Sequence, residues 1–125
     1  MTGGDGRSDA PVLRFQIIRC GPPARYCWRL STQNGRAIAV SAESFTSVED
    51  CRSGVEAACR DAGELVTLIE LSPGGSSFRW HARTADGRRI ASAARSYARY
   101  STCVVAGERF RRLLVSFLKA GLPGW

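Results

Sequence analysis

The sequence has little of what most catalytic and metal sites require. His81 is its single histidine, and none of its five cysteines belongs to a Cys-x-x-Cys pair. A structural zinc site needs four soft ligands placed close together, and a nucleophilic site needs a base beside its nucleophile. No glycine-rich stretch is followed by the Lys-Ser/Thr pair of a phosphate-binding loop. We therefore expect no metal, no cofactor and no enzymatic activity.

Long hydrophobic runs are also missing. No apolar stretch approaches the roughly 20 residues that span a bilayer, so we expect no membrane association. Residues 1–12 lack the basic segment and apolar core of a signal peptide, which predicts a disordered tail and a cytoplasmic protein. Five cysteines without an export signal fit reduced thiols. Cys20 and Cys27 flank a short turn and could face each other, so a disulfide between them is the alternative.

Lysine is nearly absent, since arginine supplies 17 of the 18 basic residues. The net charge of +7 is unevenly divided. Residues 1–62 carry 8 arginines against 7 acidic residues, a net charge of +1. Residues 63–125 carry 10 basic residues against 4 acidic ones, a net charge of +6. A one-sided basic surface can recruit nucleic acid or another polyanion. The alternative interpretation is an arginine-rich composition that only solvates the surface.

The strongest pattern present is a segment that returns 52 residues later. Residues 26–39 begin with an aromatic-x-Trp sequence and pass through Asn-Gly to Ile-Ala, and residues 78–91 do the same with Asp-Gly. The correspondence runs without a gap from Ile17 and Ile69 to Glu56 and Glu108. Such a period indicates two copies of one supersecondary unit. Its signature residues are Trp28, Asn34, Gly35 and Ile38 in the first copy and Trp80, Asp86, Gly87 and Ile90 in the second.

Each copy has the pattern of three strands followed by a helix. Alternating apolar residues predict the strands, Asn34-Gly35 predicts a two-residue type I′ hairpin turn, and Ser47 is the expected N-cap of the first helix. Ile38 and Val40 are expected on one face of the third strand. The predicted strands are 13–19, 25–32, 36–42, 66–71, 77–84 and 88–94, and the predicted helices are 48–62 and 101–120.

Neither helix could cover its own three strands alone. This predicts an α+β fold with one antiparallel sheet and both helices packed on one face. We expect the tandem units 13–63 and 64–120 to share one domain, between tails at 1–12 and 121–125. The exposed edge strands of such a sheet could pair two chains, so self-association through sheet edges is a further expectation.

These features resemble the YegP-like family, which comprises small domains of unknown function with one or two β-β-β-α units. The resemblance rests on the aromatic-x-Trp-x-Leu strand, the Asn-Gly turn and a helix that contains Cys51, Gly54 and Val55, and it covers nearly everything from Phe15 onward. The second copy departs from the pattern, for example with Asp86 in place of the asparagine. The resemblance implies tandem units that share one sheet. It implies no catalytic residues, and the function stays uncharacterised.

The candidate binding residues lie in the second copy. Arg79, His81 and Arg83 alternate along one strand and should share its helix-free face at the surface. Arg89 on the neighbouring strand should lie close to them. These four residues form the predicted basic patch, which could bind an anion or nucleic acid.

Trp28 and Trp80 are expected in the core, on the helix side of their strands. A groove in which the two indoles stack a ligand or a base is the alternative. Because no catalytic constellation is found and the family's function is open, the leading functional expectation is a non-enzymatic binding or accessory module. Single-strand binders need exposed aromatic residues, which are not expected here. Nucleic-acid or polyanion binding through the basic second copy is the alternative function.

Overall fold

A computed structural model describes residues 13–32 and 34–121 of the 125-residue chain. The predicted tail at 1–12, and residues 122–125 of the predicted tail at 121–125, lie outside the described residues. The elements are β1 (Leu13–Gly21), β2 (Arg25–Thr32), β3 (Ala37–Ser41), α1 (Val48–Arg60), a 3₁₀ turn (Ala62–Glu64), β4 (Val66–Leu71), β5 (Phe78–Arg83), β6 (Arg89–Ala93) and α2 (Tyr100–Lys119). The predicted element order is confirmed, and each predicted boundary lies within two residues of the observed one.

The six strands form one antiparallel sheet in the order β1-β2-β3-β6-β5-β4. Both helices pack on the same face, where the buried apolar residues form a single cluster. The predicted α+β fold class is therefore confirmed. The outer strands are β1 and β4, and pairing of two chains through these edges stays a prediction. No helix within the described ranges is long and apolar enough to cross a membrane.

The two halves of the chain meet where β3 pairs with β6. Val40 faces Ser92 at the centre of this ladder, and these residues are 52 positions apart in the sequence. On either side of them, Ala39 faces Ala93 and Ser41 faces Ala91. The offset that relates the two sequence segments therefore also relates the two sides of the sheet. A tandem duplication stays the interpretation of this correspondence.

An aromatic stack fills the space between the helices and the sheet. The ring of Phe110 on α2 lies between the two indoles, with centroids 6.4 Å from Trp28 and 4.8 Å from Trp80. The indoles are 1% and 0% exposed, so they are core residues and the ligand-stacking alternative is wrong. Ala58 stands 52 residues before Phe110, so α1 offers no ring at the equivalent place. The core is thus asymmetric, and one phenyl group serves both halves.

In each half, the hairpin between the second and third strands has the same turn. In the second hairpin, Thr84 N–H donates to Arg88 O and Gly87 N–H donates to Thr84 O, both at 2.9 Å. Gly87 has a φ of +96° and the corresponding Gly35 a φ of +88°. This is a three-residue connection with a left-handed glycine, so the predicted two-residue type I′ turn is wrong. The Thr84 hydroxyl explains the wider loop, because it donates to Asp86 Oδ1 and accepts from Arg88 N–H.

A bulge next to each hairpin changes which side chains face the helices. The register shifts between Leu30 and Ser31, and again at the position 52 residues later. A bulge adds one residue to a strand and interrupts its alternation. Ile38 consequently packs against the core, whereas Val40 pairs with Arg29 on the opposite face of the sheet. The expectation that Ile38 and Val40 share a face is therefore wrong, and fully buried alanines line the centre of the sheet instead.

The two helices begin differently. Ser47 Oγ accepts a hydrogen bond from Asp50 N–H at 3.0 Å, which confirms the predicted N-cap of α1. The residue at the equivalent position before α2 is Arg99, whose side chain makes no capping hydrogen bond. α1 ends at Arg60, two residues earlier than predicted, because the 3₁₀ turn follows at once.

Candidate functional site

The helix-free face of the sheet carries the predicted basic patch. One row of cross-strand neighbours crosses all six strands there, and it consists of Gln16, Arg29, Val40, Ser92, His81 and Leu68. Arg79 and Arg83 flank His81 along β5, and Arg83 pairs with Arg89 of β6. The structure therefore brings the four predicted residues together on one face.

His81 is not at the surface, so that part of the expectation is wrong. The residue is 4% exposed, and its Nδ1 atom lies 3.6 Å from Glu70 Oε1 without a hydrogen-bond partner among the described residues. Burial lowers the pKa of His81, and the nearby charges of Arg89 and Arg83 lower it further against the opposing effect of Glu70. The imidazole is consequently neutral at pH 7 and adds no charge to the patch.

The arginines of the patch are partly engaged within the protein. Arg89 Nη2 forms a salt bridge with Glu70 Oε2, and this hydrogen bond holds the pKa of Glu70 below its usual value. Arg79 Nη2 donates to Ala93 O at 2.7 Å. Arg83 makes neither a salt bridge nor a side-chain hydrogen bond to any described residue. The patch thus offers one uncommitted guanidinium rather than four cationic donors.

The thiols are unsuited to nucleophilic chemistry. Cys51, Cys59 and Cys103 are fully buried, and burial raises the pKa of Cys51 and of Cys59 to about 11. Since the thiolate is the reactive form, these groups are inert at neutral pH. No group of three or more His, Cys, Asp or Glu side chains that could hold a metal ion occurs within residues 13–32 and 34–121.

Cys20 and Cys27 form a disulfide across the β1–β2 hairpin. The expectation of reduced thiols is therefore wrong for this pair. The strand register explains the contact, because Arg19 faces Tyr26 and the shift after Arg19 brings the two cysteine Cα atoms to 5.9 Å. That separation lies within the normal range for a disulfide. The cytoplasmic location stays a prediction.

Two grooves lie at equivalent places where a helix of one half approaches the hairpin of the other half. The first, here called the paired groove, has a volume of about 220 Å³ and lies between α1 and the turn at residues 84–88. Glu43, Asp61 and Arg88 are its charged residues, and Arg88 Nε lies 3.8 Å from Glu43 Oε2. Arg88 is thus paired within the protein, and Asp61 leaves this groove with a net charge of −1.

The second, here called the basic groove, has a volume of about 360 Å³ and lies between α2 and the first hairpin. Its charged residues are Arg36, Arg95 and Arg109, all exposed, and no carboxylate lines it. None of the three guanidinium groups forms a salt bridge or donates a hydrogen bond to a described residue. Arg95 Cζ lies 5.2 Å from the centre of the Tyr97 ring, a cation–π contact.

Two substitutions across the 52-residue offset account for three of the four charges by which the grooves differ, and Asp61, which lines only the paired groove, accounts for the fourth. Arg95 stands where the paired groove has Glu43, and Arg109 stands where it has Ala57, whereas Arg36 corresponds to Arg88. Sequence reasoning missed this site because Arg36 belongs to the nearly neutral half. Comparison of the two segments position by position would have shown the exchange of an acid for an arginine. Only the order of the strands shows that Arg36 lies in the same groove as Arg95 and Arg109.

Comparison with solved structures finds the same fold in proteins whose sequences differ widely from this one. The solution structure of yegP from E. coli, a protein of unknown function, matches with a TM-score of 0.60 and 16% identity over 81% of this chain and 84% of that chain. The UPF0339 protein from Shewanella oneidensis matches with a TM-score of 0.61 and 13% identity over 80% of this chain and 82% of that chain. No protein-family model and no curated protein matches the chain. The fold is therefore YegP-like, as the sequence resemblance implies.

Proposed function

On this YegP-like fold, we propose a non-enzymatic binding module for an anionic partner. The observation that carries the proposal is a set of arginines in the second half of the chain whose charges are not paired with a described acidic residue. Arg83, Arg95 and Arg109 have neither a salt bridge nor a side-chain hydrogen bond to a described residue. Guanidinium groups suit carboxylate and phosphate ligands because their planar N–H donors match two acceptor oxygens at once.

The state of the titratable groups supports a function without catalysis. A general base works best when its pKa lies near the working pH and it contacts the group that it deprotonates. His81 is buried and neutral, and burial holds the thiols of Cys51 and Cys59 in their protonated form. Hydrogen bonds from Arg89 and from Thr67 lower the pKa of Glu70 and of Glu108, so both carboxylates are ionised and poor proton donors.

The experiment that tests this function combines binding with turnover. The purified chain should be retained on heparin at low salt and released as salt is raised, because counterions compete with the arginines. A broad panel of substrates should give no turnover above background. The absence of retention at low salt would contradict anion binding. Turnover that disappears on substitution of one polar residue would contradict the non-enzymatic part.

Nucleic-acid binding across the helix-free face is the second candidate. Arg79, Arg83 and Arg89 do share that face, which favours it. The two indoles are buried, however, and exposed stacking aromatics are the usual complement of such a surface. The test is the affinity for a single-stranded oligonucleotide as a function of salt. Replacing the three arginines by alanine should reduce the slope of log K against log salt by about 0.7 for each phosphate that is no longer neutralised. An unchanged slope would remove this candidate.

A further inference from the structure

We infer that the basic groove binds the phosphate group of a small organic phosphomonoester. This site rests on the proposed anion-binding function and gives it a location and a ligand class. The first support is the contrast with the paired groove, where Glu43 balances Arg88 at 3.8 Å. In the basic groove the residue equivalent to Glu43 is Arg95, so like charges line one concavity. Their mutual repulsion is relieved when an anion lies between them.

The charged residues of the basic groove come from three separate elements. Arg36 follows the first hairpin turn, Arg95 lies between β6 and α2, and Arg109 lies on α2. Arg95 packs against the ring of Tyr97, which orients its guanidinium without using its N–H donors. A phosphomonoester carries nearly two negative charges at neutral pH and three acceptor oxygens. Three guanidinium groups around one concavity more than offset that charge, and their number equals that of the acceptor oxygens.

The size and the apolar part of the lining favour a small ligand with an apolar body. A volume of about 360 Å³ lies near the lower end of the range for small-molecule sites. Ile38, Val105 and Ala106 give the groove an apolar wall, and Val105 is 56% exposed. A nucleic-acid strand would instead need a basic track that continues beyond one concavity. A nucleic-acid strand also carries only one charge per phosphodiester, fewer than the nearly two charges of a phosphomonoester.

Phenyl phosphate combines a phosphomonoester with an apolar body and is the probe of choice. Titration calorimetry should show one site per chain, with tighter binding of phenyl phosphate than of phenyl sulfate, which has the same shape but one charge. The variant R95E places a glutamate at position 95, as the paired groove has at the equivalent position 43. It should weaken binding roughly 10- to 100-fold, because a charge-assisted hydrogen bond is removed and an acid faces the ligand. R109A, which matches Ala57 of the paired groove, should weaken binding roughly 10-fold.

The control is R60E, which makes the same charge change at an exposed residue of α1 outside the basic groove. It should leave the affinity within about threefold, since exposed charges at a distance are screened by salt. Thermal unfolding of each variant checks that the fold is retained. If R60E and R95E weaken binding equally, the charge effect is general and the site assignment is wrong.

Two further outcomes separate this site from the function on which it rests. If the wild-type chain binds heparin but not phenyl phosphate, the groove is not a phosphomonoester site, and the anion-binding function stands. If it binds neither, both are wrong. If R95E binds phenyl phosphate as tightly as the wild type while the triple alanine variant of Arg79, Arg83 and Arg89 does not, the anion site lies on the sheet face instead.

Discussion

Thr67 on β4 donates a hydrogen bond from Oγ1 to Glu108 Oε2 on α2 at 2.8 Å. This hydrogen bond joins an outer strand to the second helix, and it is the largest cause of the lowered pKa of Glu108, followed by Arg111. The first half has no counterpart, because Phe15 stands 52 residues before Thr67. Glu108 is half-buried, and its carboxylate is held by this hydrogen bond.

Replacing Thr67 by valine should raise the pKa of Glu108 towards its ordinary value and lower the free energy of unfolding by about 1 kcal/mol. Thr67→Ser keeps the hydroxyl and should leave both quantities close to those of the wild type. Carboxyl chemical shifts followed against pH measure the first effect, and urea unfolding measures the second. An identical titration of Glu108 in the valine variant would show that the hydroxyl does not set this pKa.

The stability of the protein should depend on pH through His81. Because its pKa is lowered in the folded state from 6.5, the unfolded chain binds a proton that the folded chain does not. Stability is therefore fully present above about pH 6.5 and falls as the pH drops towards the folded pKa, by at most about 1.4 kcal/mol per pH unit. Urea unfolding across this window should show the slope, and His81→Gln should remove it. The same slope in the variant would contradict the assignment.

Truncation of Phe110 should affect the whole molecule, because its ring contacts both indoles. Phe110→Ala should lower the free energy of unfolding by about 3–5 kcal/mol, as expected for a buried phenylalanine. Phe117→Ala removes a ring that is only partly buried and should cost less. Tryptophan fluorescence follows unfolding directly, since Trp28 and Trp80 both contact the Phe110 ring. Equal decreases in the two variants would contradict the central role of Phe110.

The start of α2 offers a stabilising substitution. Arg99 makes no capping bond and places a positive charge beside the positive end of the helix dipole. Arg99→Ser introduces the residue type that caps α1 and should raise the free energy of unfolding by about 1 kcal/mol. Ser47→Ala, which removes the matching cap at α1, should lower it by a similar amount. A destabilised Arg99→Ser variant would indicate an interaction of Arg99 that its lack of a capping bond does not reveal.

Reduction of the Cys20–Cys27 disulfide should lower the free energy of unfolding by about 2–3 kcal/mol. The bridge closes a short loop in the unfolded chain and so lowers the conformational entropy of the unfolded state. Cys20→Ser/Cys27→Ser should match the reduced wild type and should no longer respond to reductant. Mass spectrometry after alkylation under denaturing conditions counts the free thiols. Alkylation of all five cysteines in protein kept without reductant would contradict the bridge.

Local patterns were enough to predict most of the fold. Alternation along β2 and β5 placed Trp28 and Trp80 on the helix side, and Ser47 marked the start of α1. These features depend on neighbours within one element, so a short stretch of sequence contains them. The single shared sheet followed from the argument that neither helix could cover three strands alone, and the YegP-like resemblance implied the same arrangement.

What the sequence did not predict depends on pairing between distant elements. The bulges moved Val40 to the face opposite the core, and the strand register brought Cys20 and Cys27 together. His81 is buried between its cross-strand neighbours Leu68 and Ser92, which belong to two different strands. The basic groove needs the approach of the first hairpin to α2, so Arg36 could not be assigned to it from its own half.

The crossed arrangement of the grooves has a consequence for how specificity can diverge. Each groove takes its hairpin from one half of the chain and its helix from the other. Two identical halves, joined or separate, would be obliged to present two identical grooves, and any change would appear in both. In a single chain with non-identical halves, the two grooves can differ. Here Glu43 pairs with Arg88 in one groove and Arg95 occupies the equivalent position in the other, so two unlike surfaces coexist on one scaffold.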